Sequence, residues 1–141
     1  MPEHEGLTIY LDSNVLFSAS YIANTRFLNL WKLERVTPVT SATAVDEVRR
    51  HIMQSAQSVR FGELMSRTRM VRDADVRVIP AHTRMVAKDQ PILAAAIAAS
   101  VVCLITGDKS HFAHLYGTCI SGVDIFSPAG FLALYEGRLL E

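Results

Sequence analysis

The sequence has few cysteines and no long apolar stretch, and each of these shortages excludes a class of protein. Only Cys103 and Cys119 occur among 141 residues, which is too few for a disulfide framework or a cysteine-based zinc site. Although 50% of the residues are hydrophobic, no uninterrupted apolar run reaches the roughly 18 residues that a membrane-spanning helix needs. The acidic start MPEHEG lacks the basic and apolar parts of a secretory signal. We therefore expect a cytoplasmic protein with no membrane partner.

The sequence also has no net charge and few lysines. Fourteen basic residues balance fourteen acidic ones, which argues against a protein that coats nucleic acid with its whole surface. The distribution is uneven, because residues 49–84 contain eight arginines and three acids and so carry a net charge of +5. The planar guanidinium binds phosphate bidentately, so this segment is either a polyanion contact or a solvated helix face. The candidate phosphate contacts are Arg67, Arg69 and Arg72.

Short apolar segments alternate with helical patterns along the whole chain. Strands are predicted at residues 7–11, 36–40, 76–79, 101–105 and 123–126. The first predicted helices are one after Asn14 and one capped by Asn24 or Thr25. A third begins at Ser41 or Thr43 and ends before Gln57, and a basic helix covers 61–72. An alanine-rich helix begins at Asp89, and a last helix begins at Ser127. This alternation is typical of α/β proteins. We expect a single domain over residues 1–141, a three-layer α/β/α sandwich with a central, mostly parallel sheet.

Acids stand at the ends of the two most apolar strands. LTIYL is followed by Asp12, VVCLI is followed by Thr106 and Asp108, and the alanine-rich helix begins at Asp89. Ligands bind outside the carboxyl ends of the strands in open α/β sheets, so these three carboxylates are expected together. Crowded carboxylates need a cation between them, and oxygen ligands suit Mg²⁺ or Mn²⁺. Each acid by itself is explained equally well as a helix cap or turn residue, but the combination favours a metal site.

These residues resemble the motifs of the PIN domain nucleases, which include the toxins of VapBC toxin–antitoxin pairs. That family begins with an apolar strand that ends in Asp, any residue, and then Asn or Thr, as in Asp12-Ser13-Asn14. Its second acid lies in the helix after the second strand, where SATAVDEVRRHI offers Glu47 or, as an alternative, Asp46.

The remaining two acids of the family also have matches. The third opens an alanine-rich helix, matching Asp89 in KDQPILAAAIAAS, and the fourth follows a strand and a hydroxyl, matching Thr106 and Asp108 in LITGDKSHF. The ending VDIFSPAGFL is similar to the family's last strand and helix. No single motif is specific, but their order is.

The resemblance implies a metal-dependent endoribonuclease and its cofactor. Asp12, Glu47, Asp89 and Asp108 would hold Mg²⁺ or Mn²⁺, and Asn14 and Thr106 would orient the first and fourth acids through hydrogen bonds. Many members carry further acids where this chain has Lys88, Lys109 and His111. The number of bound ions, one or two, therefore stays open.

The resemblance also implies partners: RNA as the substrate, a small antitoxin protein, and a second copy of the chain in a homodimer. The alternative is a non-catalytic PIN-like module that binds RNA or a protein.

Two histidines sit at helical spacing from a possible ligand. Glu47 with His51, and His111 with His114, are four and three residues apart, but neither pair has a third convincing ligand. We expect surface or packing roles for these histidines.

Overall fold

The computed structural model describes residues 6–21 and 25–135. Within them, six strands form one sheet and six α-helices accompany it. The strands are β1 Leu7–Leu11, β2 Val36–Ser41, β3 Arg69–Val71, β4 Cys103–Ile105, β5 Cys119–Ile120 and β6 Val123–Phe126. The helices are α1 Ser13–Ala19, α2 Ala42–His51, α3 Ser55–Ser66, α4 Gln90–Ala98, α5 Lys109–Phe112 and α6 Pro128–Tyr135.

The sheet has the strand order β3-β2-β1-β4-β6-β5. All neighbouring strands are parallel except β5 and β6, which pair antiparallel. Helices pack against this sheet, and the result is the predicted three-layer α/β/α sandwich. Because parallel strands end at the same edge, the residues that follow β1, β2, β3, β4 and β6 share one edge, which we call the carboxyl edge.

β1 lies inside the sheet between β2 and β4. Its residues Ile9, Tyr10 and Leu11 are fully buried, as expected for a strand covered on both faces. Leu11 is in register with Ile105 of β4, and the Asp12 backbone N–H continues the ladder by donating to the Ile105 carbonyl at 3.0 Å. Asp12 is therefore held rigidly at the carboxyl edge.

The helices follow the apolar patterns of the sequence. α4 has Pro91 in its first turn, as predicted from the fixed φ of proline, and its residues 92–96 are buried. α1, α2 and α3 contact one another, and α6 contacts β6. Among the described residues, no helix combines the length and the apolar character needed to cross a bilayer.

The basic helix predicted over residues 61–72 is confirmed for its first half and wrong for its second half, because α3 ends at Ser66 and β3 follows. Thr68 explains this end. Its hydroxyl donates to the Leu64 carbonyl at 2.6 Å and accepts from the Trp31 indole N–H at 2.9 Å, and such side-chain bonds compete with the helical backbone pattern. The next residues then pair with the open side of β2.

The strand predicted over residues 76–79 is also wrong, because Val76–Val78 is a 3-10 helix. The Asp75 carboxylate accepts from the Arg77 backbone N–H at 2.9 Å and lies 2.7 Å from the Arg77 guanidinium. This local cap satisfies the backbone without a neighbouring strand.

The helix predicted to end before Gln57 ends earlier, and the next helix begins before residue 57. α2 ends at His51 and α3 begins at Ser55. Gln57, expected near a helix end, is 1% exposed, and its Nε2 donates to the Ser20 hydroxyl at 2.7 Å. A buried amide with a partner of this kind is stable inside a packed helix.

Three smaller differences concern short elements. The helix predicted after Asn24 or Thr25 is a 3-10 helix over Phe27–Trp31, and Asn24 lies outside the described residues. β5 has no counterpart among the predicted strands. β2 contains Pro38, a residue that is usually confined to edge strands, yet it lies between β1 and β3. The proline is tolerated because β3 pairs with β2 only from Val39 onward.

The buried Tyr10–Ser41 pair provides a test of the packing between β1 and β2. The two hydroxyl oxygens are 2.5 Å apart, and burial raises the pKa of Tyr10 far above its usual range, so the phenol stays neutral. Tyr10→Phe should lower the free energy of unfolding by about 1–3 kcal/mol, because it leaves the Ser41 hydroxyl buried without a partner. Denaturant titration of Tyr10→Phe, Ser41→Ala and the double variant measures this. The double variant should lose less free energy of unfolding than the two single variants lose together. Strictly additive losses would contradict the pairing of the two hydroxyls.

Candidate active site

A cleft of about 430 Å³ opens at the carboxyl edge and contains the predicted acids. Its lining includes Asp12, Asn14, Glu47, Asp89 and Asp108, together with Lys88 and His51. Four acids that are far apart in the sequence therefore line a single cleft.

Asp12 is 4% exposed and both of its carboxylate oxygens are hydrogen-bonded. Oδ1 accepts from the Ser13 backbone N–H at 2.7 Å, so Asp12 is also the N-cap of α1. Oδ2 accepts from the Thr106 hydroxyl at 2.9 Å and from Asn14 Nδ2 at 3.3 Å. The side chain is consequently held in one orientation by three neighbours.

Burial, together with the negative charges of Glu47 and Asp89, raises the pKa of Asp12 from 3.8 to about 6 against the opposing hydrogen bonds from Thr106 and Ser13. A carboxylate that is ionised at neutral pH in such a place destabilises the fold unless positive charge approaches it. Perturbed carboxylates of this kind are typical of functional sites.

Asn14 and Thr106 connect the ends of β1 and β4. Asn14 Oδ1 accepts from the Gly107 backbone N–H at 2.6 Å, and Thr106 Oγ1 accepts from the Asp108 backbone N–H at 3.2 Å. A Cβ at Gly107 would lie 3.1 Å from Asn14 Oδ1, so a glycine fits this close approach best. Both predicted orienting residues thus contact Asp12 or the backbone that carries Asp108.

Asp89 and Asp108 meet around His111. His111 Nδ1 lies 2.6 Å from Asp89 Oδ2 and 3.0 Å from Asp108 Oδ2. Neither approach has hydrogen-bond geometry, and Asp89 Oδ2 and His111 Nδ1 are buried atoms without a hydrogen-bond partner. Burial raises the pKa of Asp89, and the charge of Asp108 adds to this while His111 opposes it. His111 therefore lies against two of the predicted acids.

The helix-cap explanation holds for two of the three acids. Asp12 caps α1, and the Asp108 carboxylate accepts from the His111 backbone N–H at 3.3 Å at the start of α5. Asp89 precedes α4, but its side chain makes no capping hydrogen bond. Its partly buried carboxylate thus has no structural explanation as a cap.

Glu47 and not Asp46 faces the cleft. Glu47 is half-buried in the lining, whereas Asp46 is exposed elsewhere on α2. His51, one turn later on α2, also lines the cleft, and its Nδ1 contacts the Glu47 backbone carbonyl at 2.8 Å. The second acid of the motif is therefore assigned to Glu47 by position.

The three predicted phosphate contacts lie apart from this cleft. Arg67, Arg69 and Arg72 are exposed, and none of them belongs to the described lining. The Arg67 guanidinium donates to the Trp31 carbonyl at 3.3 Å. Arg72 directly follows β3 and therefore lies at the carboxyl edge, whereas Arg67 precedes β3. The positive side chain within the cleft is Lys88, which the sequence patterns did not indicate.

The acidic centre fits a divalent cation. Asp89, Asp108 and His111 each present one ligand atom, and these atoms lie within 4.8 Å of one another. Two buried ligand atoms without hydrogen-bond partners are what a cation would satisfy. An acidic group able to bind a metal is thus present.

The raised pKa of Asp12 predicts a pH dependence of stability in the metal-free protein. The pKa of Asp12 is higher in the folded protein than in the unfolded chain. Protonation of Asp12 therefore stabilises the fold below pH 3.8, and this stabilisation is lost as the pH rises through about 6. Asparagine does not ionise, so Asp12→Asn does not lose this stabilisation. The free energy of unfolding of the variant, relative to that of wild type, should therefore rise by roughly 2–3 kcal/mol from pH 4 to pH 7.5.

Denaturant unfolding in EDTA at several pH values measures this difference, and Asp46→Asn on the exposed side of α2 is the control. Parallel pH profiles for wild type and Asp12→Asn would contradict the predicted role of Asp12.

Comparisons with known proteins agree with this architecture. A family model described as PIN domain matches residues 8–110, a span that contains all four acids. No curated protein sequence matches the chain. A chain in the crystal structure of VapBC2 from Rickettsia felis bound to a DNA fragment from their promoter has a TM-score of 0.64 at 14% sequence identity. That match covers 86% of this chain and 98% of the other, and it shows a shared fold. The chain belongs to the PIN domain family.

Proposed function

We propose that the protein is a metal-dependent endoribonuclease that hydrolyses RNA phosphodiester bonds in the cytoplasm. The observation that carries the proposal is the convergence of Asp12, Glu47, Asp89 and Asp108 on one cleft. Membership in the PIN domain family supports the same chemistry.

Asp12, Glu47, Asp89 and Asp108 would hold the ion, which is Mg²⁺ or Mn²⁺. A bound divalent ion supplies a Lewis acid for the scissile phosphate and lowers the pKa of a water so that it can attack. The number of acids allows one ion or two.

The residues around the acids have distinct tasks in this proposal. Thr106 and Asn14 hold the Asp12 carboxylate in place through Oδ2. This preorganisation means that the acid does not have to reorient when a substrate arrives. Lys88 brings a positive charge into a cleft that is otherwise negative, and it therefore offsets the repulsion of the RNA phosphates.

The biological context that we propose is a toxin of a toxin–antitoxin pair. The fold likeness to a VapBC2 chain supports this context. A small antitoxin protein would be the partner, and two copies of the chain would form a homodimer.

The alternative is a non-catalytic PIN-like module that binds RNA or a protein. The observation in its favour is that Asp12 and Asp108 both cap helices, which would preserve these acids without catalysis. Kinetics on single variants separates the two candidates.

Single Asp→Asn changes at positions 12, 89 and 108 should each abolish most RNA cleavage. We expect losses above about 100-fold, since even residues that only support a ligand are worth about 10–100-fold. The losses should not add in a double variant, because the acids serve one site. Cleavage of a labelled RNA with Mg²⁺ or Mn²⁺, and with EDTA, measures this.

Asp46→Asn is the matched control and should retain activity. If cleavage survives all three single changes or proceeds unchanged in EDTA, the non-catalytic module becomes the better account.

The arginines are tested by the salt dependence of RNA binding. If Arg67, Arg69 and Arg72 each contact one phosphate, replacing all three with Gln should reduce the slope of log affinity against log salt by about 2, at about 0.7 per contact on single strands. Arg72→Gln should account for more of the change than Arg67→Gln, because Arg72 is at the carboxyl edge and Arg67 is bonded to Trp31. An unchanged slope would show that the three arginines are only a solvated surface.

A further inference from the structure

His111 contacts two of the predicted acids and stands at a position where many members of the family carry a further acid. Its side chain is 25% exposed, and its Nδ1 reaches the carboxylates of both Asp89 and Asp108. We infer that His111 is a metal ligand through Nδ1, which makes the centre a mixed nitrogen and oxygen site that prefers Mn²⁺ to Mg²⁺. The inference rests on the proposed function, since it takes Asp89 and Asp108 as ligands of the same ion.

The distances between the three ligand atoms support a shared ion. Neighbouring ligands of an octahedral ion with bonds of about 2.1 Å lie about 3 Å apart. The observed separations from His111 Nδ1 are 2.6 Å to Asp89 and 3.0 Å to Asp108. All three ligand atoms lie within 4.8 Å of one another, so the three groups are close enough to reach a common ion.

Two atoms of this group lack a well-formed hydrogen bond. His111 Nδ1 and Asp89 Oδ2 are buried and have no hydrogen-bond partner. An unprotonated imidazole nitrogen offers a lone pair to a metal ion. A cation shared with Asp89 would therefore satisfy both atoms together.

The local fold keeps His111 in this position. Asp108 uses Oδ1 to accept from the Ser110 hydroxyl at 2.8 Å and from the His111 backbone N–H at 3.3 Å, which leaves Oδ2 for the centre. Phe112 is fully buried and anchors α5 in the core. The imidazole is thus presented by a fixed turn of helix, and its position does not depend on a flexible loop.

A nitrogen ligand changes which metal the site selects. Mg²⁺ strongly prefers oxygen ligands and retains its waters, whereas imidazole strengthens binding of first-row transition ions. The same two acids with His111 should therefore bind Mn²⁺ more tightly than Mg²⁺, and this selectivity should depend on the ring.

Metal titrations of the full chain test the inference directly. Wild type, His111→Gln and the control His114→Gln are titrated with Mn²⁺, followed by the electron paramagnetic resonance of the free ion, and with Mg²⁺ by calorimetry. His114 contacts the Arg84 carbonyl away from the acids. We expect His111→Gln to weaken Mn²⁺ binding by about 10–100-fold, to change Mg²⁺ binding much less, and His114→Gln to change neither.

A spectroscopic signature separates ligation from a structural role. Electron spin echo of bound Mn²⁺ should show modulation from a ¹⁴N nucleus in wild type and in His114→Gln, and this modulation should be absent in His111→Gln and His111→Asp. His111→Asp supplies an oxygen ligand in place of the nitrogen, so it should bind Mg²⁺ at least as tightly as wild type while losing the preference for Mn²⁺. Because the wild-type spectrum is informative alone, a variant that fails to fold does not remove the test.

The outcomes distinguish this inference from the proposed function. If Mn²⁺ binds wild type without ¹⁴N modulation, or if His111→Gln weakens Mn²⁺ and Mg²⁺ equally, His111 is not a ligand, and the nuclease proposal stands so long as EDTA stops cleavage. If wild type binds neither metal at millimolar concentration, the proposed function and this inference both fall.

Discussion

The parallel pairing of β1 with β4 determines the position of everything at the carboxyl edge. The register of Leu11 with Ile105 brings Asp12 beside Thr106, and the hydroxyl and carboxylate bond at 2.9 Å in a buried environment. A shift of one residue would turn Asp12 to the other face of the sheet and break this bond. The apolar residues on both faces of β1 therefore specify the site indirectly, because they leave only one register that buries them all.

The acids of this centre combine structural and electrostatic roles that oppose each other. Asp12 and Asp108 cap helices, and this stabilises the fold. Burial and mutual repulsion nevertheless raise the pKa values of Asp12 and Asp89. The apo fold thus contains unfavourable charge at one place, which is typical of functional sites. His111 and Lys88 lie near Asp89 and oppose the rise in its pKa.

Predictions of the elements succeeded where burial is strong and failed where it is weak. β1, β6, α4 and α6 have continuous apolar patterns, and their positions were confirmed to within a few residues. β3 was mistaken for part of a helix because Arg69–Val71 is short, mostly exposed and has no periodic pattern. Residues 76–79 failed for the same reason, since a single carboxylate cap at Asp75 outweighs weak strand propensity. In both places the conformation depends on partners that are distant or polar.

The sequence by itself determined the fold class and the expectation that Asp12, Asp89 and Asp108 lie together, because β1 and β4 are followed by an acid, α4 is preceded by one, and parallel topology brings such ends together. Only the tertiary structure decided that Glu47 rather than Asp46 faces the cleft, that the arginines lie apart from it, and that His111 contacts Asp89. Those outcomes depend on helix rotation and on approaches between residues far apart along the chain. Local pattern carries no information about either, since packing of the whole core sets both.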